Sequence, residues 1–299
     1  MGAARLLAGL VRAVPPDEVT AIVNVGDDVE LHGLHISPDL DTVTYTVAGA
    51  IDPERGWGLA GETWHAMGAL DRYPQARRWF NLGDRDLATH LYRTDRLRAG
   101  ARLSEVTQEI AEAWGLRLRL LPATDDPLRT RVTVDGDGEI GFQEYFVQRQ
   151  HSVPVRAIRF DGADASSPAP GVLESIADAD RVVIAPSNPL VSIDPVLAVP
   201  GVRAAVAARR PAGVAVSPIV AGAALKGPAD RLLRELGHEA SVVGVARLYA
   251  PLVATLVIDE ADADLAGAVE AEGLRCVVAP TIMRGPEEAA ALGRRVVTA

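Results

Sequence analysis

Hydrophobic positions fall into two regimes along the chain. Near the start, Leu6, Leu7, Leu10 and Val11 recur on one face of a 3.6-residue period, which predicts an amphipathic helix over residues 3–14. Pro15 and Pro16 end it. Residues 20–25 then form a short, β-branched apolar run, a buried strand that stops at Gly26-Asp27-Asp28. The second half repeats this kind of run at 181–185, 213–217, 255–258 and 275–278. Between and around them, 172–179, 203–209, 229–236, 265–272 and 287–296 carry helical patterns. Short, wholly apolar strands alternating with helices predict a mainly parallel sheet covered on both faces, a doubly wound α/β fold.

The middle of the chain is less regular. Residues 33–58 are rich in Gly, Pro and Asp, with a helix starting near Asp41. Residues 87–97 and 104–114 read as helices, the second with Ser104 as N-cap and Gly115 as its stop. Two short runs around Asp135-Gly136-Asp137-Gly138 predict a hairpin within 131–142. The expected organisation is one domain over 1–299, with 51–153 as an inserted helical and hairpin portion. Residues 161–170 read as a surface loop, and no internal repeat is visible.

Composition narrows the function classes. With 299 residues, 48% hydrophobic and 23% charged, the chain is ordinary globular material. A formal net charge of −10 argues against a nucleic-acid or anionic-membrane footprint. The single cysteine, Cys276, excludes a disulfide framework and any multi-cysteine zinc site. The longest apolar tract, 211–225, is broken by Pro218 and is too short to span a bilayer. With no targeting segment visible, the expectation is a soluble cytoplasmic protein. Lys226 is the only lysine; arginine supplies every other basic side chain.

Five turns carry candidate chemistry. Asp27 and Asp28 sit at the carboxyl end of the first predicted strand, where open α/β sheets bind ligands. Adjacent carboxylates there need a cation or a solvated turn. Asp39, Asp41 and Thr42 follow in a second acidic turn, readable as a helix cap or as oxygen ligands for Mg²⁺. Asp84, Arg85, Asp86, Thr89 and His90 surround a helix start, readable as an anion site or as a cap with a surface ion pair. Ser187 and Asn188 follow the 181–185 strand, and Ser217 and Pro218 the next. Short polar side chains at such strand ends can meet a phosphate. Lys226 can pair with a phosphate or simply be solvated. Together these features suggest metal-assisted phosphoryl chemistry.

The blocks NVGDDVELHGLHISPDLDTVTYTVAG, RGWGLAGETW, WFNLGDRDLATHLYRT, APSNPLVSIDPVLAVPGVR and VAVSPIVAGAALKGPADRL, in this order along the chain, resemble the 2-phospho-L-lactate transferase family. That resemblance implies transfer of a phospholactyl or phosphoenolpyruvyl group from a guanosine-diphosphate-linked donor to the ribityl hydroxyl of the deazaflavin Fo. GMP is released, Mg²⁺ is required, and the setting is coenzyme F420 biosynthesis. On this reading Asp27 and Asp41 hold Mg²⁺ or act on the hydroxyl. Asp28, Asp39 and Thr42 belong to the same turns, and the stretch from Gly83 to His90 shapes the deazaflavin pocket. Ser187 and Asn188 hold donor phosphates, with Ser217 and Pro218 near the guanosine. A homodimer is implied as well.

The family opens with a strand and a loop resembling LAGGVGGAR. The present sequence begins Met1-Gly2-Ala3-Ala4-Arg5, which aligns with the end of that loop. The first strand and part of the glycine-rich loop are therefore expected to be missing. Two other readings stand beside the transferase: a non-catalytic, nucleotide-sugar-binding regulator of the same superfamily, and a metal-dependent phosphohydrolase using water in place of Fo.

Overall fold

The structure is a computed structural model that describes residues 1–77 and 79–299. Its frame is a four-stranded parallel sheet in the order Arg275–Val278, Thr255–Ile258, Gly213–Val216 and Val182–Ile184. Every residue of the two central strands is buried, as continuous apolar runs require when both faces are covered. Alternation assigns the faces. Val214, Val216, Val257 and Val277 pack on one side with Leu6, Leu292 and Val296, while Ala215, Leu256 and Ile258 pack on the other.

The first face is closed by two helices distant in sequence, Gly2–Ala13 and Pro286–Thr298. They cross at glycines. A Cβ on Gly9 would lie 2.1 Å from the Ala289 carbonyl oxygen, and one on Gly293 would lie 3.0 Å from the Gly9 backbone. Only the absence of side chains lets the backbones approach so closely.

A second parallel pair, Thr20–Val23 with Arg119–Pro122, carries the first acidic turn. The latter strand falls inside the 51–153 segment, so that segment contributes to the frame as well as to the irregular portion. An antiparallel sheet in the order Gly138–Gly141, Arg129–Val134, Val155–Asp161 extends the expected hairpin by a third strand. That strand lacks the expected pattern because most of its side chains are at least partly exposed.

Local expectations need three corrections. Between 29 and 47 the chain forms a hairpin, Val29–Leu31 with Leu34–Ile36, and then the helix Pro38–Val47, which begins before Asp41. Proline suits a first helical turn, so Pro38 marks the start. Ser104 is not an N-cap. Arg102 holds that position, its N–H donating to Glu105 Oε2 at 2.9 Å, while Ser104 donates its N–H and hydroxyl to Asp125 at 2.6 and 2.9 Å. The helix Val242–Tyr249 was not expected; Ser241 caps it by accepting from the Val243 and Gly244 N–H groups at 3.1 Å. Among the described residues no single helix is long and apolar enough to cross a membrane.

Candidate active site

A cavity of about 730 Å³ is lined by parts of all four strand-end turns and by the Asp86–His90 helix start. Its first wall is the Asn24–Asp28 turn. Gly26 is required there: a Cβ would meet Thr130 Oγ1 at 2.6 Å, and its carbonyl accepts from the Thr130 N–H at 2.7 Å. The turn is thus pressed against the next sheet, and its two aspartates diverge. Asp28 turns inward, its Oδ2 accepting from Ser37 Oγ and His35 Nε2, each at 2.8 Å. Asp27 faces the cavity, with Oδ1 buried and unpartnered.

Asp39 faces the same cavity. Asn24 joins the two turns, accepting from the Gly26 N–H at 2.7 Å and donating Nδ2 to Asp39 Oδ2 at 2.9 Å. Burial, and then the neighbouring Asp39 charge, push the Asp27 carboxyl well above the usual carboxylate range. Burial likewise raises Asp39. The Met1 ammonium pulls Asp39 the other way, towards the charged form, while Asp28 adds to its rise.

The second wall is a polar seam between the helices Pro38–Val47 and Asp86–Arg98. Asp41 and Tyr45, one turn apart, meet Asp86, Thr89, His90 and Arg93 on one face of the partner helix. Arg93, only 1% exposed, grips Asp41 with both terminal nitrogens, Nη2 to Oδ1 and Nη1 to Oδ2. Its Nη1 also lies 3.4 Å from His90 Nδ1. If Nδ1 accepts from the guanidinium, the ring proton sits on Nε2, which lies 3.3 Å from Asp86 Oδ2. Tyr45 donates its hydroxyl proton to Asp86 Oδ1 at 2.6 Å and therefore accepts from Thr89 Oγ1 at 2.8 Å. Burial raises Asp41 against the pull of Arg93 and His90. In Asp86 the balance reverses: burial pushes up, but His90, Tyr45 and Arg93 hold it low. Asp41, Asp86 and His90 also form a three-donor group whose ligand atoms lie within 4.8 Å of one another.

Thr42, Ser187, Asn188, Ser217 and Pro218 line the same cavity. Asn188 Oδ1 is occupied by the Leu190 N–H at 3.0 Å, and Ser217 Oγ by its own turn, donating to the Ile219 carbonyl at 3.0 Å. The structure does not bring every expected residue to this wall. Asp84 holds the start of the helix His65–Leu70 instead, accepting from Thr63 Oγ1, His65 N and Ala66 N at 2.6, 2.8 and 2.9 Å. Arg85 donates to the Ala60 carbonyl at 2.8 Å. Asp28 and Thr89 lie outside the cavity lining: Thr89 supports Tyr45, which lines it, whereas Asp28 holds His35 and Ser37.

Sequence reasoning missed Arg93 and Tyr45, and it placed Asn24 in the first acidic turn without giving it a role. Arg93 had a signal: with Asp86 and His90 it completes a polar stripe on one helix face. It also missed the aromatic lining. In a chain with 4% aromatic residues, Tyr45, Trp57, Trp79, Phe80, Phe142 and Phe146 all line this cavity. Phe142 and Phe146 stack at 5.6 Å and 20°, and Trp57 and Trp64 flank the Arg55 guanidinium at 5.5 and 5.4 Å.

A mixed α/β frame with a largely apolar cavity, carrying a few convergent polar groups beyond the carboxyl ends of its parallel strands, defines a ligand-binding α/β protein. The particular family follows from comparison: residues 1–295 match the family model described as 2-phospho-L-lactate transferase CofD, and the chain belongs to that family. It is 46% identical over 299 residues to the phosphoenolpyruvate transferase of Kitasatospora aureofaciens, covering 98% of this chain and 93% of the relative. It is 44% identical over 302 residues to the protein of the same name from Streptomyces coelicolor, covering 100% and 95%. The corresponding protein of Mycolicibacterium smegmatis is 43% identical over 282 residues, with 93% and 86% covered. Among solved structures, a UPF0052-family protein from Bacillus halodurans superposes with a TM-score of 0.61 at 16% identity, covering 99% of this chain and 96% of its own. That likeness shows the mixed α/β fold.

Proposed function

We propose that the chain transfers a phosphoenolpyruvyl or phospholactyl group from a guanosine-diphosphate-linked donor to the ribityl hydroxyl of Fo, releasing GMP, as a step of coenzyme F420 biosynthesis. One observation carries this reading: a single cavity gathers Asp27, Asp39, Asp41, Asp86 and His90 with Ser187, Asn188 and Ser217. The names of the relatives favour the enolpyruvyl donor. The aromatic lining suits a flat heterocycle such as a deazaflavin.

The residues fit a divalent cation. Asp27 offers a buried, unpartnered oxygen, and Asp39 stands beside it as a second carboxylate. Mg²⁺ prefers oxygen ligands, commonly one or two carboxylates plus substrate phosphates. The alternative Asp41–Asp86–His90 group includes a nitrogen ligand, and Arg93 already covers both Asp41 oxygens. Mg²⁺ would therefore be held by Asp27 and Asp39. When bound it would offset the negative charge of the donor diphosphate.

Asp41, fixed by Arg93, would orient the attacking hydroxyl and accept its proton. Asp86 and His90 would hold the surrounding polar seam in place. Ser187 and Asn188 would present N–H and hydroxyl donors to the donor phosphates, with Ser217 and Pro218 beside the nucleoside. Positioning and electrostatics would supply most of the rate.

The test is GMP release from a guanosine-diphosphate-linked phosphoenolpyruvyl donor with Fo and Mg²⁺. Asp27→Asn and Asp41→Asn should each lower turnover at least about a hundredfold. Near-normal turnover in both removes the assignment. Thermal response to a uridine-diphosphate sugar but not to GDP or Fo would favour the regulator. GMP release at a comparable rate without Fo would favour the hydrolase.

A further inference from the structure

The cavity also holds positive charge that the proposed chemistry has not used. Arg5, Lys226 and Arg284 line it. Arg5 is committed, donating Nη1 to the Met283 carbonyl at 3.0 Å. Among the described residues no carboxylate lies within ion-pair distance of Lys226 or Arg284. The nearest partner recorded for the Lys226 ammonium is Met1 Sδ, at 4.0 Å.

Other charged groups around the Lys226 loop are spent in building it. The hairpin Ile219–Val220 with Ala223–Ala224 turns at Ala221 and Gly222, with φ of 49° and 75°. Asp262 Oδ2 accepts from the Ala221 N–H at 2.9 Å. Arg234 donates to the Gly222 carbonyl at 3.0 Å and pairs with Asp230 at 2.8 Å. Gly227, at φ 73°, turns the chain immediately after Lys226. Arg284 ends a similarly braced stretch, where Asp259 Oδ2 accepts from Thr281 N and Oγ1 at 2.8 and 2.9 Å. Two fixed backbones thus present two uncommitted cations to a cavity that also holds four aspartates.

Composition adds a second, independent point. The chain has 30 basic residues counting Lys and Arg, and Lys226 is the only lysine. Arginine is the default cation here, yet the cavity loop carries an ammonium. The two differ physically: the ammonium is a compact charge with three rotatable donors on a flexible stem, well suited to tetrahedral phosphate oxygens.

We infer that Lys226 forms an anion subsite that takes an acidic group of the donor, with Arg284 adding positive charge to the same cavity. The inference rests on the proposed function for the identity of the donor. That donor has two anionic parts, its phosphates and the carboxylate of its three-carbon acid, and either could occupy the subsite.

A single lysine makes the test direct. The intact chain is reductively methylated with and without GDP or phosphoenolpyruvate, and labelling is read by peptide mass mapping, which separates Lys226 from the α-amino group of Met1. Protection of Lys226 by GDP, about fivefold or more in rate, supports the subsite and assigns it to the phosphates; protection by phosphoenolpyruvate alone supports it and assigns it to the three-carbon acid. Lys226→Ala should weaken binding of the protecting probe about tenfold or more, and Lys226→Arg should restore it to within about threefold. Lys226 is exposed, so neither variant threatens folding. If GDP binds the unmodified chain, yet neither probe protects and Lys226→Ala binds it equally well, the inference fails while the proposed function stands. If the unmodified chain binds neither probe, both fail.

Discussion

Asp27 is held where its proton is favoured. Burial and the Asp39 charge raise its carboxyl well above the ordinary range. Between the unfolded and folded values the native state binds more protons than the unfolded chain, so stability falls as pH rises through that window. Without divalent cations, Asp27→Asn should therefore melt higher than the parent at neutral pH, by on the order of a few degrees. That gain should shrink as pH falls towards the ordinary aspartate value of about 4. Thermal melts in a chelator at pH 4 to 8 check the sign; a variant that melts lower at neutral pH would show that the carboxylate is stabilised by something other than a bound cation. A residue that costs stability yet lines the cavity is the usual mark of a site kept for function.

The seam between Pro38–Val47 and Asp86–Arg98 behaves as one unit. Arg93→Met leaves Asp41 buried without its partner and should cost about 3–5 kcal/mol in urea unfolding. Pairing it with Asp41→Leu should recover most of that loss, since apolar replacements of buried ion pairs are often neutral. Helix packing offers a second contrast. Gly9→Ala, which would drive a methyl into the Ala289 carbonyl, should cost about 1–3 kcal/mol. Gly267→Ala, in the helix Ala266–Ala271 with open space around it, should stabilise by about 0.4–1 kcal/mol.

Much of the element pattern was legible in the sequence for a physical reason. Strands buried on both faces read as unbroken apolar runs, so Gly213–Val216 and Thr255–Ile258 fall where expected. Val155–Asp161 was not legible because its pairing is set by a neighbour and its side chains are largely solvated. At the site, local sequence shows which residues occupy a turn but not which way they point. Adjacent Asp27 and Asp28 diverge, and Asp84 leaves the cavity to cap another helix. Arg93 and Asp41 meet only because the fold brings two helices, distant in sequence, within reach of a long side chain.

On the scale of the whole molecule, carboxylates from separate turns share one cavity, and that cavity should report on its own occupancy. A cation that binds only the folded chain stabilises it by mass action, by about 2.7 kcal/mol at a hundred times its dissociation constant. Mg²⁺ should raise the melting temperature of the parent and leave Asp27→Asn unmoved. An equal rise in both would place the cation elsewhere.

The hydrogen bond from Arg5 to Met283 spans 278 positions of sequence. On a ribosome adding roughly 5–20 residues each second, the helix Gly2–Ala13 waits on the order of 15 to 60 s for Pro286–Thr298 to emerge. Until then Leu6 lacks the cover that Leu292 and Val296 give it. The nascent polypeptide is therefore a natural client for a holding chaperone, and its ligands have no finished place to bind before Thr281 to Arg284, which line the cavity, are made.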